Sequence, residues 1–137
     1  MYLTDIDYES HQATKNLNIL TKNDTLSVRD FAEAAAEEQM RSYLANRFDI
    51  SVIFAQTTTD RNPLLVMYLV DMSVYHMFAK IPNRQTPEDV GLRFEEAINW
   101  LKDVAKGKNT PTLPLREISE TVPADMQYGS EARINLR

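Results

Sequence analysis

The chain contains no cysteine. That excludes disulfides, thiolate metal sites and cysteine nucleophiles, and it fits a reducing compartment. Glycine is almost as scarce, at three residues with no glycine-rich loop, so no phosphate cradle of backbone N–H groups is expected. Only two histidines occur, His11 and His76, and neither has a second histidine or a carboxylate pair at metal spacing. His76 lies in an apolar segment and reads as a buried, hydrogen-bonded imidazole. The acidic pairs Glu37-Glu38, Glu88-Asp89 and Glu95-Glu96 are adjacent on helices, so their members diverge. They read as solvated faces and caps, not as a glycosidase-like dyad. No nucleophile stands beside a base, and the expectation is a non-enzyme with no cofactor and no metal. Arg41, Arg47 and Arg93 are scattered, and no basic helix is present. A net charge of −5 argues against wrapping nucleic acid, though not against lining a channel through which DNA passes. The opening MYLTDIDYES has no apolar run and is not a signal peptide. The most apolar segment, 63–81, is interrupted by Asp71 and His76 and reads as a buried helix, so no membrane is expected.

What is present is ordinary for a globular domain: 137 residues, 43% hydrophobic and 26% charged. The clearest element is 86–107, TPEDVGLRFEEAINWLKDVAKG. Thr86 is placed to cap it, Pro87 suits the first helical position, and Gly107 suits the stop. Val90, Phe94, Ala97, Ile98, Leu101, Val104 and Ala105 form one apolar stripe, with Trp100 beside it. Such a helix spans roughly 30 Å and needs a partner surface.

Upstream, residues 1–26 read as a helical turn capped by Thr4 or Asp5, followed by a polar loop. Ser27 and Asp30 make a capping box for a helix over 28–47, rich in alanine and glutamate. Ala32, Ala36, Met40, Tyr43, Leu44 and Arg47 share one side of it. The segment 48–59, FDISVIFAQTTT, is β-branched and reads as extended, either a crossing loop or a single strand. Asp60 or Asn62 caps the next helix, which has Pro63 in its first turn and is apolar on nearly every face. Such a helix is central, or is covered on one side by a partner. Asp71 on it needs a partner, and an arginine, internal or from a neighbouring subunit, is the expected one.

Beyond Gly107 the pattern changes. Residues 108–137 hold three prolines, one glycine and no helical period. Their spaced apolar residues (Leu113, Leu115, Ile118, Val122, Met126, Tyr128, Ile134, Leu136) cannot make a core and suit a docking tail. The expected fold is therefore mainly all-α. A three-helix core bundle occupies 1–107, with an extended segment between its first two helices and an extended C-terminal tail over 108–137.

Three stretches together resemble a known family: AAAEEQMRSYLANRFD at 34–49, NPLLVMYLVDMSVYHMF at 62–78 and RFEEAINWLKDVAKGKNTPTLP at 93–114. Their order and spacing are similar to those of the small Mu-like tailed-phage head–tail connector proteins, also called head-completion or adaptor proteins. The likeness covers about residues 1–115. It implies a structural virion protein at the head–tail junction, made in the host cytoplasm. Copies would form a ring, typically of twelve, beneath the portal protein, extending the DNA channel and meeting tail or stopper proteins. The residues expected to touch neighbours are Ile50, Val52, Ile53 and Phe54 of the extended segment and the spaced residues of the tail. The alternative from a different class is a small helical regulatory binding module whose tail is a linear motif.

Overall fold

The computed structural model describes residues 2–12, 16, 26–81 and 85–117, with the backbone alone at 26 and 27. Among these residues there are five α-helices and no β-strand: α1 (Asp5–His11), α2 (Leu26–Leu44), α3 (Ile50–Ala55), α4 (Pro63–Ala79) and α5 (Glu88–Ala105). A single 3-10 turn, Thr58–Asp60, lies before α4. The fold is all-α.

Helix α4 is the centre. Asn62 caps it, its side-chain oxygen accepting from the N–H groups of Leu64 and Leu65 at 2.9 and 3.2 Å, and Pro63 occupies the first turn. Leu65, Leu69, Val70, Met72, Val74 and Phe78 are all buried. The protein itself thus covers nearly every face of this helix, and the central reading is the observed one. Helix α2 supplies Ala32, Ala36, Met40 and Leu44, and α5 supplies Val90, Ala97, Leu101 and Val104. The alanines let α2 approach closely, and α2, α4 and α5 pack on one another. Tyr68 of α4 meets Trp100 of α5 with ring centroids 4.9 Å apart, and Tyr75 stacks on Phe94 at 4.0 Å.

Three local expectations are corrected. The segment 48–59 is extended only in part: Phe48 is bridged to Leu115 and 56–57 are extended, but 50–55 is helical and a 3-10 turn follows at 58–60. Asp49 caps α3, its carboxylate accepting from Val52 N–H at 3.2 Å, and Ile53 is fully buried. β-Branched residues favour strands, but a strand with no neighbouring strand leaves its backbone groups unpaired, whereas one helical turn pairs them internally. The second correction concerns α5. Pro87, not Thr86, occupies the cap position, and no side-chain cap bond is made; Glu88 and Asp89 supply negative charge at that end. Third, α2 begins at Leu26, so Ser27 lies within its first turn.

Other ends follow the sequence closely. Thr4 caps α1 in a capping box, with Asp7 returning a bond to the Thr4 N–H at 2.7 Å. Gly107, at φ 85°, ends α5; its N–H reaches the Val104 carbonyl at 3.0 Å and Lys108 N–H reaches that of Asp103 at 2.9 Å. This bond pair is the Schellman pattern that satisfies the last carbonyls of a helix.

Candidate interaction site

One end of the bundle is built from residues distant in sequence. Arg47, just beyond α2, donates from Nη1 to the carbonyls of Val104 (2.6 Å) and Asn109 (3.0 Å), and from Nη2 to Thr110 Oγ1 at 3.2 Å. A guanidinium at the C-terminal end of α5 complements the helix dipole and satisfies carbonyls that have no intrahelical donor. The Asn62 side chain donates to the Thr112 carbonyl at 3.1 Å. Asp49 N–H donates to the Pro114 carbonyl at 2.9 Å, and Arg116 N–H donates to that of Arg47 at 3.0 Å. Those two bonds flank an antiparallel bridge between Phe48 and Leu115. Residues 109–117 are therefore laid along the bundle. Leu113 is a buried member of the core, and Leu115 is 64% exposed. A shallow depression beside the bridge is lined by Ala45, Phe48, Asp49, Ile50, Arg116 and Glu117.

The expected contact residues divide sharply. Ile53 is in the core, Ile50 and Phe54 are half-buried, and Val52 is exposed at the same end as Leu115. Phe54 is enclosed by Tyr2, 5.1 Å away, and by the Arg41 guanidinium at 4.7 Å. Ile118, Val122, Met126, Tyr128, Ile134 and Leu136 lie outside the described residues.

A second feature is a polar seam that holds the N-terminal segment. Arg61 donates to both Asp7 oxygens (2.6 and 3.1 Å) and to the Tyr2 carbonyl at 2.7 Å. Burial alone would raise the Asp7 carboxyl, but the bonds from Arg61 and Thr4 outweigh it and hold its pKa below the usual value. Tyr8 donates to Glu33 at 2.5 Å, and Arg29 reaches Asp5 at 2.7 Å and Glu33 at 3.3 Å while lying over the Tyr8 ring. Burial and the adjacent Glu33 carboxylate both push the Tyr8 phenol upward. Farther along, Asp71 accepts from Gln12 Nε2 at 3.4 Å and faces Arg93 Nη1 at 3.7 Å. Arg93 also donates to the His11 carbonyl at 2.8 Å, and Asn16 bridges Gln12 to Asp89 at 3.3 Å each. The partner of Asp71 is thus an internal arginine. Burial pushes the Asp71 carboxyl up to about 6, Arg93 pulls it down in part, and Glu96 adds to the rise. His76 meets Gln39 Oε1 at 3.3 Å, and burial depresses its pKa. Among the described residues, no three His, Asp or Glu side chains gather closely enough to hold a metal ion, and no helix is long and apolar enough to cross a membrane.

A family model described as Bacteriophage Mu, Gp36 matches residues 2–129. The chain belongs to that family. No curated protein matches it, and no solved structure does. The Gp36 match runs beyond residue 115, where the sequence likeness stopped. It takes in Ile118, Val122, Met126 and Tyr128 and leaves out Ile134 and Leu136. All five helices and the bridged segment 109–117 fall inside it.

Sequence reasoning did not find Arg47, Arg61 or Glu33 as organising residues. Arg61 sits in a connection, where no periodicity marks a role. The spacing puts Arg47 on the face of a helix over 28–47, whereas α2 ends at Leu44 and frees Arg47 to reach α5. Glu33 looks like one more surface acid of a glutamate-rich helix. Two signals for the seam are present in the sequence: the Thr4-to-Asp7 capping-box spacing and the lone carboxylate of Asp71 on an apolar helix.

Proposed function

We propose that this Mu-like phage protein is a structural component of the virion. It acts as a head–tail adaptor whose copies form a ring, of twelve in the reading favoured by the resemblance, beneath the portal. The ring extends the DNA channel and meets tail or stopper proteins, and it catalyses nothing. Membership of the Gp36 family over nearly the whole chain carries this reading. Two further features support it. Net charge −5 suits a channel wall that does not hold DNA. Exposed Val52, Leu64 and Leu115 suit an end that contacts other proteins. Helix α4 and Ile53 give no such support, because the bundle already buries them.

The test is co-sedimentation of the chain with rings of the portal-like protein encoded near it. The reading expects saturable binding that dissociates without any dependence on added DNA. A chain that stays in the supernatant at concentrations well above micromolar would leave the regulatory binding module as the better account.

A further inference from the structure

The bridge between Phe48 and Leu115 leaves an open strand edge. In an extended segment, the N–H and C=O of one residue point to one side, and those of the next residue point to the other. Pro114 and Arg116 use the inner side, bonding to Asp49 and Arg47. Leu115 N–H and C=O are therefore directed outward, and no group among the described residues bonds to either. Proline usually blunts an edge, but the donor missing at Pro114 is on the inner side. It limits the inner ladder to one bridge and leaves the outer edge intact. Leu115 is 64% exposed there. Val52 and Leu64 are exposed close by, each tied to the segment through its cap residue, Asp49 or Asn62.

We propose that this edge, residues 113–117, receives part of the 118–137 segment of a second copy as an added strand. The proposal deepens the ring reading and rests on it. Three observations select that occupant. The twenty residues of 118–137 continue from Glu117, at the edge itself, and can reach about 65 Å when extended. They carry apolar residues at strand-compatible intervals, among them Met126 and Tyr128 two apart on one strand face. A two-residue hairpin straight back onto the chain's own edge has no support: 118–122 is Ile-Ser-Glu-Thr-Val, the turn residues Pro123 and Asp125 come only later, and the first glycine is Gly129. Donation from each copy to the next is a heterologous contact. It closes into a ring when the rotation per copy allows, and the added strand contributes main-chain bonds plus pockets for alternate side chains.

The experiment uses the full chain with its portal rings. Unlabelled copies carry the photo-reactive residue p-benzoylphenylalanine in place of Leu115; they are mixed with heavy-isotope-labelled native copies, assembled, irradiated and mapped by mass spectrometry. The expected product joins position 115 of a light copy to a heavy peptide from 118–137. Rings that form with 115 joined only to its own tail, to another copy's 113–117, to portal peptides or to nothing overturn the proposal and leave the ring reading standing. Absence of any ring overturns both. A second pair of variants reads the backbone donor. Leu115→Ala keeps the N–H and should assemble near the parental concentration, while Leu115→Pro should need about tenfold more protein. Both should melt like the parent. Equal assembly by the two contradicts strand addition.

Discussion

Replacing Asp71 by asparagine keeps its shape and its acceptor for Gln12 while removing a buried charge. The folded carboxyl titrates near 6 and the unfolded one near 3.8, so the folded state binds the proton more tightly. Stability therefore falls as pH rises from about 4 to about 6, and the full cost persists above that range. Arg93 is half in water and screens part of this, so the expected gain for Asp71→Asn at pH 8 is about 1–2 kcal/mol, not the full value of the shift. Thermal unfolding at pH 8 and pH 4 checks it: the variant should melt higher at pH 8, and most of the difference should be gone at pH 4. A variant that melts lower at pH 8 would mean that the contact with Arg93 outweighs burial. The need of Asp71 for a partner was legible from one carboxylate on an apolar helix. The identity of the partner as Arg93 was not, because it depends on how α4 and α5 are rotated against each other.

Elements that satisfy their own backbone and show one clear period were legible. Helices α2 and α5 bury most of the apolar positions that their spacing marks, and α4, apolar on nearly every face, is legible as the central helix for that reason. The stop at Gly107 was equally plain, and its substitution isolates one effect. A Cβ added there meets nothing within 4 Å, so Gly107→Ala carries only the cost of placing an L residue at φ 85°. The expected loss is about 1–2 kcal/mol, measured by urea unfolding with an unchanged m-value. Loss near zero would mean that the helix end shifts to accommodate alanine. Helix α3 was not legible, because composition favours a strand there and tertiary context decides otherwise: Asp49 caps the turn and Ile53 fills the core. In sequence, residues 109–117 look like the start of a tail, since two prolines and no period give no sign of packing. What holds them is Arg47, Asn62 and Phe48, each far away in sequence.

At the scale of the whole molecule, main-chain bonds hold the chain to the bundle as far as Arg116. Ending the chain after Glu117 should leave the melting temperature close to that of the parent. Ending it after Lys108 removes buried Leu113, the Asn109 and Thr110 partners of Arg47 and the Thr112 partner of Asn62, at an expected cost of about 2–4 kcal/mol. Calorimetry of the two truncations separates these outcomes, and equal melting temperatures would show that 109–117 adds nothing to the fold. The shorter protein should also fail to join portal rings, as should the longer one if 118–137 bridges neighbouring copies. The adaptor role itself is tested most directly by electron microscopy of the full chain mixed with its portal protein. The account predicts a second ring of this protein beneath the portal, coaxial with the DNA channel, with neighbouring copies in contact through the end that carries Val52, Leu64 and Leu115. Bare portals beside free monomers at high concentration would contradict it.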